Sequence, residues 1–170
     1  MKLSTKMKLG SIAAVLASGL FMSGSALAVG GGGSGGACSV DTEIGSGARF
    51  FVPSGGSGNY NILGWGNGTG GTVSAYSGLL ESVAEQCVVV AAATTTQSGD
   101  GRDVESAVNQ AKSRYSDIVG SDPKVCTSGH SQGGGGSFNA ANRLDADCVI
   151  AVQPDTVPLC QPSCPVGYFA

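Results

Sequence analysis

Apolar positions along this chain change rhythm again and again, and the changes mark out its elements. Residues 48–52, Ala-Arg-Phe-Phe-Val, form a compact aromatic and β-branched run closed by Pro53 and a Gly/Ser turn, which predicts a strand. Residues 59–63 predict a second strand, which runs into a glycine-rich loop over residues 64–71. Tyr76, Leu79, Leu80 and Val83 then fall at three-and-four spacing, which predicts a helix with Thr72 or Ser74 placed to cap it. Residues 87–93 are continuously apolar, valine-rich and too short for a helix, as a buried parallel strand requires. Val104, Ala107, Val108 and Ala111 mark a second amphipathic helix that starts near Asp100 or Gly101. Residues 124–127 predict a strand, the small-residue run 134–141 a helix, and residues 148–152 a further strand. Strands alternating with helices imply an α/β domain with a mostly parallel sheet flanked by helices.

The first 28 residues stand outside that pattern. Lys2, Lys6 and Lys8 precede an apolar run over residues 9–21, and Ala26-Leu27-Ala28 supplies a small-residue cleavage site, so residues 1–28 read as a secretory signal peptide. The run is short for spanning a bilayer, and no membrane anchor is expected once the signal is removed. Residues 29–37 are glycine-rich and read as a flexible linker, which leaves residues 38–170 as the folded domain. Cleavage after Ala28 leaves 142 residues and removes three lysines, taking the net charge from −3 to −6. So acidic a chain argues against a nucleic-acid partner. A secreted or periplasmic location makes the six cysteines candidates for disulfides, although Cys126 and Cys148, each in a strand, serve equally well as small buried apolar residues. The sequence has no C-x₂-C pair and one histidine, a poor set for a metal site.

The chemistry concentrates at Gly129-His130-Ser131-Gln132-Gly133, between a predicted strand and a predicted helix. Glycines two positions either side of a serine permit a turn too tight for a Cβ, and the hydroxyl is lifted onto a helix N-terminus that favours negative charge. This is the nucleophile-elbow pattern. Ser131 is the candidate nucleophile, and the backbone N–H of Gln132 faces the place where an oxyanion develops. A second donor is expected from the loop at residues 65–71, with Asn67 the first choice and Gly66 and Gly68 the alternatives. That loop also matches a dinucleotide fingerprint at Gly66, Gly68 and Gly71, but the region about 20 residues on, where a ribose-binding acid belongs, is Val-Ala-Ala-Ala-Thr. No cofactor is expected.

Trp-Gly-Asn-Gly-Thr at residues 65–69, the apolar strand at 88–93, the following Thr-Thr-Gln-Ser-Gly with Arg102-Asp103, and Ser-Gly-His-Ser-Gln-Gly-Gly at 128–134 resemble the secreted bacterial α/β-hydrolases. The resemblance is to the group of chlorophyllase-like, cutinase-like and poly(ethylene terephthalate)-hydrolase-like enzymes, and it covers roughly residues 38–170. It implies an α/β-hydrolase fold and hydrolysis of small-molecule or polymeric esters through an acyl-serine. It also implies Gln132 and a residue near Asn67 as oxyanion donors, and Trp65 as a wall of the acyl pocket, a role weighed against that of an ordinary core tryptophan.

One component is missing. A serine nucleophile needs a base. His130 is adjacent to Ser131 on a tight turn, where neighbouring side chains diverge, so it is expected to pack beside the elbow rather than take the proton. Asp155 reads as a loop residue, and Asp100 and Asp103 as helix-start residues. The resemblance places the triad acid and histidine beyond Ala170, so the chain reads as a partial hydrolase domain whose own turnover is low. The alternative is a non-catalytic secreted domain of the same fold that binds an apolar ligand or a partner.

Overall fold

The computed structural model describes residues 38–56 and 58–155. The signal and linker readings, and Cys160 and Cys164, lie outside these residues. A six-stranded sheet forms the centre, in the order β1-β2-β4-β3-β5-β6. Strands β1 (Ser39–Gly45) and β2 (Ala48–Ser54) make an antiparallel hairpin, and β2 pairs antiparallel with β4 (Val88–Ala93). From β4 onward the sheet is parallel, through β3 (Asn61–Gly66), β5 (Val125–His130) and β6 (Cys148–Val152). Helix α1 (Ser77–Ala84) follows a 3-10 turn at Val73–Tyr76, α2 is Arg102–Arg114, α3 is Ser116–Val119 and α4 is Gln132–Leu144. This is the mostly parallel, helix-flanked α/β fold that the pattern implies.

The alternation of β3 sorts the helices onto two faces. Ile62 packs with Ala107, Val108 and Ala111 of α2, and Gly64 lies against Val104 and Val108. Gly66, two residues on, meets Gly133 of α4. Helices α2 and α4 therefore share one face, while Trp65 turns to the other and packs its ring, tilted by 57°, against Tyr76 beside α1. The interior of the sheet is apolar: every residue of β4 is buried, as expected of an all-apolar strand paired on both sides.

Several boundaries differ from the sequence pattern. β3 runs to Gly66 instead of ending at Leu63, because Gly64 and Gly66 are strand residues whose missing side chains admit the helices. β2 continues through Pro53, opposite Val40. Beyond Phe51 it has no β4 partner, so a proline is tolerated there. β1 was hidden in the sequence: Val40, Thr42 and Ile44 alternate, but this is an edge strand with little burial to reinforce the signal. Neither Thr72 nor Ser74 caps a helix with its side chain. Asp100 does act at a helix start, its Oδ1 accepting the N–H of Arg102 at 3.0 Å, and Gly101 supplies the left-handed turn at φ 75°.

Two disulfides join the described cysteines in pairs. Cys38–Cys87 spans 49 residues and fastens the start of β1 to the start of β4. Cys126–Cys148 spans 22 residues and bridges register partners on β5 and β6. Chain-entropy arguments give such loops about 4 and about 3 kcal/mol respectively. Both bonds fit a protein that matures in an oxidising compartment. Among the described residues, no helix is long and apolar enough to cross a membrane, and no cluster of His, Cys, Asp or Glu could hold a metal ion.

Candidate active site

Gly66, Gly129 and Gly133 interlock by backbone alone. Gly66 and Gly129 are register partners on β3 and β5. A Cβ on Gly129 would sit 2.3 Å from the Gly133 oxygen, and one on Gly133 would sit 2.2 Å from the Gly66 oxygen. No side chain can relax to relieve such a clash, so the two elbow glycines are required by contact. The third member, Gly66, lies 63 residues upstream of Gly129 and was legible only as part of a loop.

Between these glycines Ser131 adopts φ 52° and ψ −119°, outside the regions open to most L-residues. Strain of this kind costs about 1–3 kcal/mol and persists only where surroundings enforce it. Here the enforcement comes from the strand exit next door. The Ser131 N–H donates to Val152 O at 3.0 Å, and its carbonyl accepts from Asp155 N at 2.9 Å and Gly135 N at 3.0 Å. The half-buried hydroxyl does not cap the helix. Gln132 is the first residue of α4, so its N–H has no intrahelical acceptor. Its side chain donates to Gln97 Oε1 at 3.3 Å, and among the described residues its own Oε1 is buried without a hydrogen-bond partner.

Asn67, the first choice for the second donor, has its polar groups engaged within the fold. It is fully buried, and its N–H donates to Ser98 Oγ at 3.2 Å. Its side-chain Nδ2 donates to Ala93 O at 2.8 Å and Thr95 O at 2.9 Å, while Oδ1 accepts from Trp65 Nε1 at 3.2 Å. Asn67 thus ties the loop after β3 to the loop after β4, with Gly70 N–H adding a bond to Thr96 O. Gly68 lies beside the elbow. A Cβ there would meet His130 Nδ1 at 2.9 Å and the His130 carbonyl at 3.3 Å.

Of the two readings of Trp65, the geometry favours the core tryptophan. It is 1% exposed, with its ring centroid 5.1 Å from that of Tyr76, so it is a core residue and offers no surface to a substrate. His130 is half-buried, and its Nδ1 lies 3.1 Å from the Tyr76 hydroxyl. Tyr76, central to the site, carried no motif and was marked only as a helix position, while Ser98 lay within the Thr-Thr-Gln-Ser-Gly stretch without a role of its own. Asp155 contacts the elbow through its backbone N–H.

No protein-family model matches the chain, and no curated protein matches it in sequence. Solved structures do match in shape. The crystal structure of DphMB1 aligns with a TM-score of 0.53 at 16% identity, over 68% of this chain and 44% of its own. The chain therefore spans less than half of DphMB1, and likeness at this level extends to the α/β fold.

Proposed function

We propose that this chain carries the nucleophile and oxyanion site of a secreted serine ester hydrolase of the α/β-hydrolase fold. The observation that carries the proposal is Ser131 at φ 52° between a parallel strand and a helix, flanked by two glycines that contact allows no other residue to replace. The expected substrate is a carboxylic ester, small, lipid-like or polymeric, and no cofactor takes part. Ser131 Oγ attacks the ester carbonyl carbon. The tetrahedral oxyanion is held by the N–H of Gln132 and, in place of Asn67, that of Gly68. Each such donor stabilises the transition state by about 3 kcal/mol. Collapse expels the alcohol and leaves acyl-Ser131, which water then hydrolyses. Export is supported by the signal-peptide pattern and the two disulfides.

The base is not among these groups. His130 is the sole histidine of the sequence, and its Nδ1 faces Tyr76. Loss of a triad histidine costs on the order of 10⁶ in turnover, so this chain by itself is expected to turn over esters very slowly. Tetrahedral adducts on Ser131 do not require turnover and give the direct test. Phenylboronic acid added to the chain should give a tetrahedral ¹¹B signal, as Oγ bonds to boron and its proton passes to solvent. Ser131→Ala should abolish that signal. A folded chain that forms no adduct would exclude the nucleophile reading and leave the non-catalytic binding domain.

A further inference from the structure

The Tyr76 hydroxyl sits between the candidate donor Gly68 and the residue before the nucleophile. It lies 3.4 Å from Gly68 N and 3.1 Å from His130 Nδ1. Its ring is held by Trp65 at 5.1 Å between centroids and by His130 at 5.9 Å. The slot that admits the hydroxyl is made by two glycines: a Cβ on Gly68 would approach it to 3.1 Å, and one on Gly71 to 3.2 Å. None of these residues other than Gly68 has a role in the reaction proposed above.

We propose that Tyr76 is a positioning residue that aims the Gly68 N–H over Ser131 through a hydrogen-bond relay ending on His130. This rests on the reading of Ser131 and Gly68 as the reacting site. The Gly68 N–H can only donate, so the hydroxyl accepts there. Of the two roles then open at His130 Nδ1, the relay takes the one in which the hydroxyl donates. His130 is then the neutral imidazole with its proton on Nε2, a tautomer chosen by the tyrosine. The two bonds polarise each other in the same sense.

The lengths suit a guide rather than a lock. At 3.4 Å the bond from Gly68 is longer than an ordinary N–H···O bond. It orients the peptide without saturating the donor. An oxyanion is a stronger acceptor than a neutral hydroxyl, roughly twofold in bond strength, so the N–H can pass from tyrosine to substrate as charge develops. The same geometry explains why His130 is a poor base for Ser131: the ring nitrogen nearest the loop already accepts a proton from Tyr76.

Nitrogen NMR of the ¹⁵N-labelled chain tests the relay, and a single histidine means that the imidazole signals need no assignment. The native chain should show the Nε2–H tautomer. Tyr76→Phe keeps the ring and removes the hydroxyl. It should return His130 to the tautomer mixture of a free imidazole, speed Gly68 amide exchange about fivefold, and weaken phenylboronate binding about fivefold, the worth of one ordinary hydrogen bond. A His130→Phe chain should speed Gly68 exchange in the same way and serves if Tyr76→Phe does not fold. A native Nδ1–H tautomer, or a folded Tyr76→Phe chain with unchanged tautomer and boronate affinity, would overturn the relay. Absence of any boronate adduct on the native chain would instead remove the nucleophile reading, while the tautomer and the exchange rate would still decide the relay.

Discussion

The two faces of β3 are built on opposite principles. On one face Gly64 and Gly66 present bare backbone to α2 and α4: a Cβ on Gly64 would meet Val108 at 2.6 Å, and one on Gly66 would press on Gly133 at 3.1 Å. On the other, Trp65, Tyr76 and His130 fill the space with rings, and polar bonds fix their positions. The bare face sets the elbow's shape by exclusion, and the aromatic face sets the loop's position by attraction. A contact made by backbone against backbone has no low-energy way to yield, whereas a ring or a hydroxyl can be exchanged at moderate cost. The strain at Ser131 belongs to the first kind, and the placement of Gly68 to the other.

The largest expected effect therefore lies where the obstacle is backbone. Gly133→Ala brings a Cβ to 2.2 Å from Gly66 O and 2.5 Å from Asn67 O. It should cost about 4 kcal/mol or more, measured by denaturant unfolding. A folded variant of near-native stability would show that the glycine contact is softer than described.

Gly64→Ala sharpens the contrast on the same face, because its obstacles are side-chain ends, Val108 Cγ2 at 2.6 Å and Val104 Cγ1 at 2.9 Å. It should cost about 2 kcal/mol, and adding Val108→Ala should recover part of the loss. No comparable second substitution can rescue Gly133→Ala.

On the aromatic face, Trp65→Phe removes the bond to Asn67 Oδ1 and leaves that buried oxygen unpaired. A loss of about 2 kcal/mol is expected. Because Asn67 joins the two loops, proteolysis between residues 94 and 98 should quicken in parallel. Unchanged cleavage there would separate Asn67 from the placement of that loop.

The smallest effect is at the rim of the helix-packed face, where Tyr115 donates to Glu43 at 3.1 Å beside Arg114. Burial first, then the hydrogen bond to Glu43 and its charge, hold the Tyr115 hydroxyl well above its ordinary range. A raised native value means that the stabilisation is complete below the unfolded value near 10 and is lost as pH climbs past it. Tyr115→Phe should change stability by about 1 kcal/mol or less at pH 7, and should flatten the alkaline decline of the melting temperature. Equal alkaline slopes in the two chains would assign that decline to other groups.

The sequence by itself determined the alternation of strand and helix, the position of Ser131 on a strand–turn–helix junction, and the spacing of its glycines, because these follow from local periodicity and from steric limits within a few residues. Tertiary structure decided the rest. The register of β3 against β5 made Gly66 the third glycine of the elbow, 63 positions away from Gly129. Asn67 looked like a free donor in a glycine loop, and only contact with Ser98, Ala93 and Thr95 showed that its polar groups are engaged. Trp65 read as either a pocket wall or a core residue in that same loop, and only the fold decided for the core. Cys126 and Cys148 read equally well as apolar residues until strand order set them side by side. Local propensity acts over a few bonds along the chain, whereas these choices depend on which distant backbone comes within a few ångströms.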